Sequence, residues 1–226
     1  MERNDNMKNK LKRINRGLVL GGIIIVVMVF YIIIDARNFK SEKPQIEQTV
    51  SDFVTELAEF NVTPEKYRTD GIKYSTEDAE KRISEFEKFT DKYWTAGEPA
   101  LDDFGWASYM STFRSSMKDV IDQVDRGYIT SYSAQPSNVE ISKDGPNAAI
   151  VTCEVNTLYT CINNSIIISP MGNDDYYDDT PYEDEMLKVS RSFECTFNME
   201  RTSDGWKIIS CECYTIEYSN TIDSEE

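Results

Sequence analysis

The stretch "GLVLGGIIIVVMVFYIII", Gly17 to Ile34, restricts the fate of this chain more than any other feature. It contains eighteen residues and no charge. At about 1.5 Å rise per residue, a helix of that length spans roughly 27 Å, enough for the hydrocarbon core of a bilayer. A run that is apolar on every side has no polar face to turn to water, and it predicts a transmembrane helix. Arg3, Lys8, Lys10, Lys12, Arg13 and Arg16 precede it, against only Glu2 and Asp5. Basic residues beside a first span stay cytoplasmic, so everything after residue 34 is expected outside the membrane. A cleaved signal peptide has an apolar region of about 7–15 residues and a small-residue cleavage site. Here the longer run continues into "DARNFKSEKP" with no A-x-A pattern, and no cysteine follows closely enough for a lipoprotein. An uncleaved signal anchor is the expectation.

The first sixteen residues carry a net charge of +4 and the whole chain −16, so the rest carries −20. Such acidity repels nucleic acid and anionic lipid, and direct nucleic-acid binding is not expected. Its plainest role is to keep an exposed domain soluble. The organisation read from the chain is a basic tail (1–16), a span (17–34), a polar linker (35–44), one outer domain (45–219) and an acidic tail (220–226).

The first half of the outer domain has helical periodicity. In "QIEQTVSDFVTELAEF" the apolar positions are Ile46, Val50, Phe53, Val54 and Leu57. A second helix begins at "STEDAEKRI", where Ser75 and Asp78 make a capping pair. Its buried stripe is read as Ala79, Ile83, Phe86, Phe89 or Thr90, then Tyr93. A third is expected from Pro99 to just before Gly127, residues that suit a helix start and the position past a helix end. Its stripe would include Phe104, Met110, Phe113 and Met117. The second half reads as strands: "NVEIS", "AAIVTCEVNTLYTCI", "SIIIS", "MLKVSRSFECTFNMER" and "GWKIISCECYTIEYS", with turn residues in "KDGPN" and "TSDG". Helices followed by an antiparallel meander predict an α+β fold, with helices on one face of a curved sheet.

Five cysteines, at 153, 161, 195, 211 and 213, fall in or beside predicted strands. There is no histidine. A four-cysteine zinc site from Cys153, Cys195, Cys211 and Cys213 is conceivable on neighbouring strands, but knuckle spacing is missing. Cys211 and Cys213 lie about 6.6 Å apart at Cα on one strand, near the upper limit for a disulfide. Cross-strand pairs suit the geometry better, Cys195 with Cys213 foremost, and an outer compartment permits them. Most of the thiols are read as small core hydrophobes.

The absence of histidine excludes a Ser-His-Asp triad, a Cys-His dyad and any histidine-bearing metal site. No nucleophile elbow, P-loop or dinucleotide fingerprint appears, so neither an enzyme nor a cofactor is expected. The unusual segment is "SPMGNDDYYDDTPYEDE", in which Asp174, Asp175, Asp178 and Asp179 surround Tyr176, Tyr177 and Tyr182. Its oxygen ligands suit calcium by type, but the spacing is not that of an EF-hand. Tyrosines in an exposed acidic loop suit a protein contact better, and these seven residues are the candidate partner-contact loop. Asn61 and Asn163 match the glycosylation triplet.

The leading amphipathic helix "PQIEQTVSDFVTELAEF", two further helices and a meander closing on "RTSDGWKIISCECYTIEY" resemble the NTF2-like (cystatin-like) α+β cone. With a basic tail and one membrane anchor added, the layout looks like the VirB8-like proteins of Gram-positive conjugation machines. That resemblance implies a non-enzymatic, oligomeric scaffold in a type IV secretion channel. Its partners would be other envelope proteins and copies of itself. The alternatives are a ligand-binding or small enzymatic domain that uses the cavity of the cone, and an accessory envelope protein with another partner.

Overall fold

A computed structural model describes residues 16–68, 73–95, 104–105, 110–111, 113–115, 117, 128–162 and 186–222. The chain forms two compact units, Met1–Lys43 and Pro44–Glu226, and helix α1, Arg16–Asn61, contributes residues to both.

In the first unit, the large apolar side chains from Val19 to Ile34 are exposed, Tyr31 to 65%. An eighteen-residue window has a mean hydropathy of 2.7 and none of it is buried, so this helix is long and apolar enough to cross a membrane. The polar residues 35–43 are helical as well. The second unit begins at Pro44, inside the helix, where the ring has no N–H to give the preceding turn.

In the second unit, the remaining turns of α1 present one apolar stripe. Ile46, Val50, Phe53, Val54 and Leu57 are all buried, as their spacing predicts. At the end of α1, Arg82 donates to the carbonyl oxygens of Phe60 (2.6 Å) and Val62 (3.0 Å), acceptors that a helix end leaves unpaired. A 3₁₀ turn, Glu65–Tyr67, leads to helix α2, Thr76–Tyr93. The Ser75 hydroxyl accepts from the Asp78 N–H at 3.1 Å, which caps α2. Ala79, Phe86, Phe89, Thr90 and Tyr93 are buried, while Ile83 is half-buried.

Met110, Phe113 and Met117 are helical and buried, and Phe113 stacks on Phe86 at 3.9 Å between centroids. The sequence reading placed Phe104 and Gly105 in the same helix. They instead form a short strand, β1 (Phe104–Gly105), paired antiparallel to Cys211 and Ser210. Glycine is a weak helix former, and the edge backbone needs hydrogen-bond partners, so pairing prevails locally over helical periodicity.

The other strands are β2 (Tyr128–Lys143), β3 (Ala148–Ile162), β4 (Met186–Thr202) and β5 (Gly205–Ile222). The sheet order is β1-β5-β4-β3-β2, antiparallel throughout. β2 starts ten residues before "NVEIS" and passes through Pro136. A proline reads as a strand breaker, but β2 lies at the sheet edge, where a missing N–H is tolerated. Register shifts in β2 and between β4 and β5 mark the bulges that curve the sheet. Asn138, with φ 53°, sits in one of them. The β4–β5 hairpin turns at Gly205, with φ +115°, where a Cβ would stand 3.0 Å from Gln45 Nε2. The backbone angle there favours glycine, while the flexible Gln45 side chain could give way. The segment "SIIIS" lies outside the described residues.

Along β3, β4 and the start of β5 the buried side chains alternate: Val151, Cys153 and Val155; Phe193, Cys195 and Phe197; Trp206 and Ile208. That face carries the helices. Phe53 stacks on Phe89 at 5.6 Å and meets Tyr93, Trp94 and Phe197 edge-on. This is the α+β arrangement expected from the sequence: helices first, then a curved antiparallel sheet around an aromatic core.

Candidate functional site

Two side-chain clusters occupy the buried face of the sheet. The first follows from register. Cys153 stands opposite Cys195 and Cys195 opposite Cys213, a single row across β3, β4 and β5. Cys211, on the same face two residues before Cys213, lies opposite Phe197. The Cys211 and Cys213 sulfurs are 3.2 Å apart. The Cys195 S–H donates to the Phe193 carbonyl at 3.5 Å. All five cysteines are free thiols; Cys213 is half-buried and the other four are buried.

Burial pushes the Cys195 and Cys211 thiols well above their ordinary range, and Cys161 to about 11. Cys153 moves the other way, because hydrogen bonding with Cys195 favours its thiolate. The raised thiols remain protonated at neutral pH and pack as small hydrophobes. Among the described residues, no group of three or more cysteines and carboxylates is placed to hold a metal ion.

The second cluster was not singled out in the sequence. Tyr132 and Tyr159 are register partners whose rings stack at 5.3 Å. The Arg191 guanidinium lies 5.9 Å from the Tyr159 ring centre, a cation–π contact on the buried face. Thr157 Oγ1 donates to the Arg191 carbonyl at 3.2 Å. Burial raises the Tyr132 hydroxyl pKa, opposed by hydrogen bonding with Thr157 and the Arg191 charge, so the phenol stays neutral. A signal existed: in "VSRSFEC", Arg191 shares strand parity with Val189, Phe193 and Cys195.

Of the residues singled out in the sequence, the fold brings Cys195 and Cys213 together. The seven residues of the acidic loop, Asp174 to Tyr182, lie outside the described residues, as does Asn163. Asn61 is buried, which leaves no room for a glycan. On the other face of the sheet, Ser190, Ser192, Ile216, Glu217 and Ser219 line an open groove of about 360 Å³.

No protein-family model matches the chain, and no curated protein sequence does. Several solved structures are similar in fold. An IcmL-like type IV secretion system protein from Legionella pneumophila aligns with a TM-score of 0.41 at 10% identity, over 77% of this chain and 93% of that one. CagV, a VirB8 homolog from Helicobacter pylori, aligns with a TM-score of 0.36 at 13% identity, over 76% and 98%. An NTF2-like family protein from Streptomyces avermitilis, named as a dehydratase, aligns with a TM-score of 0.34 at 19% identity, over 62% and 87%.

Proposed function

We propose that this chain is a type II single-pass membrane protein whose outer domain binds other envelope proteins and copies of itself. The assembly we favour is a conjugative type IV secretion channel, in which the domain acts as a scaffold. One observation carries the binding reading: Phe53, Phe86, Phe113, Phe193, Phe197 and Met199 fill the space between helices and sheet, each at 1% exposure or less. An NTF2-like domain that worked on a small molecule would need that space for its ligand. Among the described residues these side chains occupy that space, which favours the outside of the domain as the working surface. The exposed apolar helix supports anchoring, and the basic residues before it support a cytoplasmic N-terminus. The acidic, tyrosine-bearing loop around Asp174–Tyr182 is the proposed contact.

The test is mild crosslinking in cells of the tagged full-length chain, followed by membrane purification and mass spectrometry. Recovery of the chain with itself, other channel subunits and an ATPase is expected. Serine at Tyr176, Tyr177 and Tyr182 should weaken those crosslinks while membrane levels hold. Recovery of the monomer alone would overturn the scaffold reading. Full complementation by a secreted form without residues 1–34 would overturn the role of the anchor.

A further inference from the structure

We propose that Cys211 and Cys213 form a reversible dithiol–disulfide site, in which Cys213 meets an external disulfide and Cys211 completes the exchange. The site itself rests on geometry. Its oxidation in cells rests on the outer location proposed above.

Three observations converge on this pair. The two sulfurs are 3.2 Å apart, closer than the Cα spacing of residues two apart on a strand suggests. Cys213 is the half-buried member of the row, whereas Cys153, Cys195 and Cys211 are buried. The outer edge of β5 also changes character at this point. Ile208 is bridged to Trp94, and Ser210 and Cys211 pair with β1. Glu212, Tyr214 and Thr215 are exposed, and among the described residues no strand pairs with that edge beyond Cys211. Among the described residues, Cys213 therefore lies just past the β1-paired part of the β5 edge, next to a buried thiol.

The exchange balances without a metal or an electron carrier. The Cys213 thiolate, having lost its proton to water, attacks one sulfur of a small-molecule disulfide; that S–S bond breaks and one thiolate leaves. Cys213 is then held in a mixed disulfide. The buried Cys211 sulfur then attacks the Cys213 sulfur, its proton passes to the departing sulfur of the mixed bond, and the second thiol leaves. The protein pair loses two electrons and two protons, and the external disulfide becomes two thiols. A bridge between residues two apart on a strand is near the geometric limit and hence labile, which makes the site reversible rather than a permanent staple. Cys195 faces Cys213 in register, but its S–H is engaged with the Phe193 carbonyl and it lies wholly inside the core.

The experiment uses the full-length chain in detergent micelles, reduced, freed of reductant and then exposed to oxidised glutathione. Free thiols are counted by alkylation and intact mass, and the bridge is located by peptide mapping. The wild type should fall from five free thiols to three, with Cys211 joined to Cys213. Cys213→Ser should keep its four remaining thiols. Both Cys211→Ser and Cys211→Ala should stop at a glutathione adduct on Cys213, and Cys195→Ser should form the same bridge as wild type. Thermal unfolding of each variant checks that it is folded. A bridge between Cys195 and Cys213, or a folded protein whose Cys213 does not react, would overturn the proposal. Trapping thiols in living cells separates the two readings. A pair that bridges in micelles yet stays reduced in cells would defeat the outer location and leave the site standing.

Discussion

Helix α1 carries two apolar stretches whose surroundings differ completely. From Val19 to Ile34 the large apolar side chains are exposed, and from Ile46 to Leu57 the apolar stripe is buried. Overall hydrophobicity does not separate a core segment from a membrane segment here; its distribution around the helix does. The first stretch is apolar at every position, so no rotation would put a polar side toward water. In the second, Glu47, Gln48, Ser51, Asp52 and Glu56 occupy the positions between the buried ones, and one face can stay wet while the other packs.

The sharpest way to break that contrast is to remove a side chain from each stretch. Phe53→Ala empties a site enclosed by Phe89, Tyr93, Trp94 and Phe197 and should cost the domain about 3–5 kcal/mol in a denaturant titration. Ile25→Ala, in the exposed stretch, should leave the same titration unchanged. Equal losses from the two would mean that the apolar stretch packs against the domain and is not a span.

A charge probes the other side of the comparison. Ile25→Lys should cost about 3 kcal/mol of insertion, read as a larger fraction released by alkaline extraction of membranes, with domain unfolding unaltered. An unchanged membrane fraction would remove the span from the account.

The smallest effect lies at the capped start of α2. Ser75→Ala should cost about 1 kcal/mol of domain stability. Asp78, beside that cap, accepts hydrogen bonds from the Tyr67 hydroxyl, Lys66 and Ser75, which hold its carboxyl below its ordinary 3.8. Because the folded value is the lower one, this contribution is present above about pH 3.8 and is lost as pH falls through the folded value. Ser75→Ala removes one of the three donors and should make the acid limb of a stability–pH curve shallower. An unchanged limb would show that Tyr67 and Lys66 suffice.

Much of the architecture was legible because periodicity reports burial directly. The stripe from Ile46 to Leu57, the Ser75 cap, the span of β3 and the buried parity of Phe193, Cys195, Phe197 and Met199 all follow from residue spacing. The misreadings share one cause. The sequence reading takes Phe104 and Gly105 as helical and begins the first strand only at Asn138. Whether either holds depends on which strand lies alongside, which no local pattern encodes.

The cysteines divide in the same way. Sequence alone determined that the sheet-forming half carries five thiols without a histidine, that most would face the core, and that Cys211 and Cys213 share a face. It also set apart the apolar helix and its basic flank. Only the tertiary structure decided that Cys153, Cys195 and Cys213 form one row, that a buried Arg191 lies over Tyr159, and that the Cys211 and Cys213 sulfurs come within 3.2 Å. The physical reason is range. Period and composition act over a few residues, whereas register is set by pairing strands tens of residues apart, and a shift of one residue would turn every one of those side chains to the opposite face.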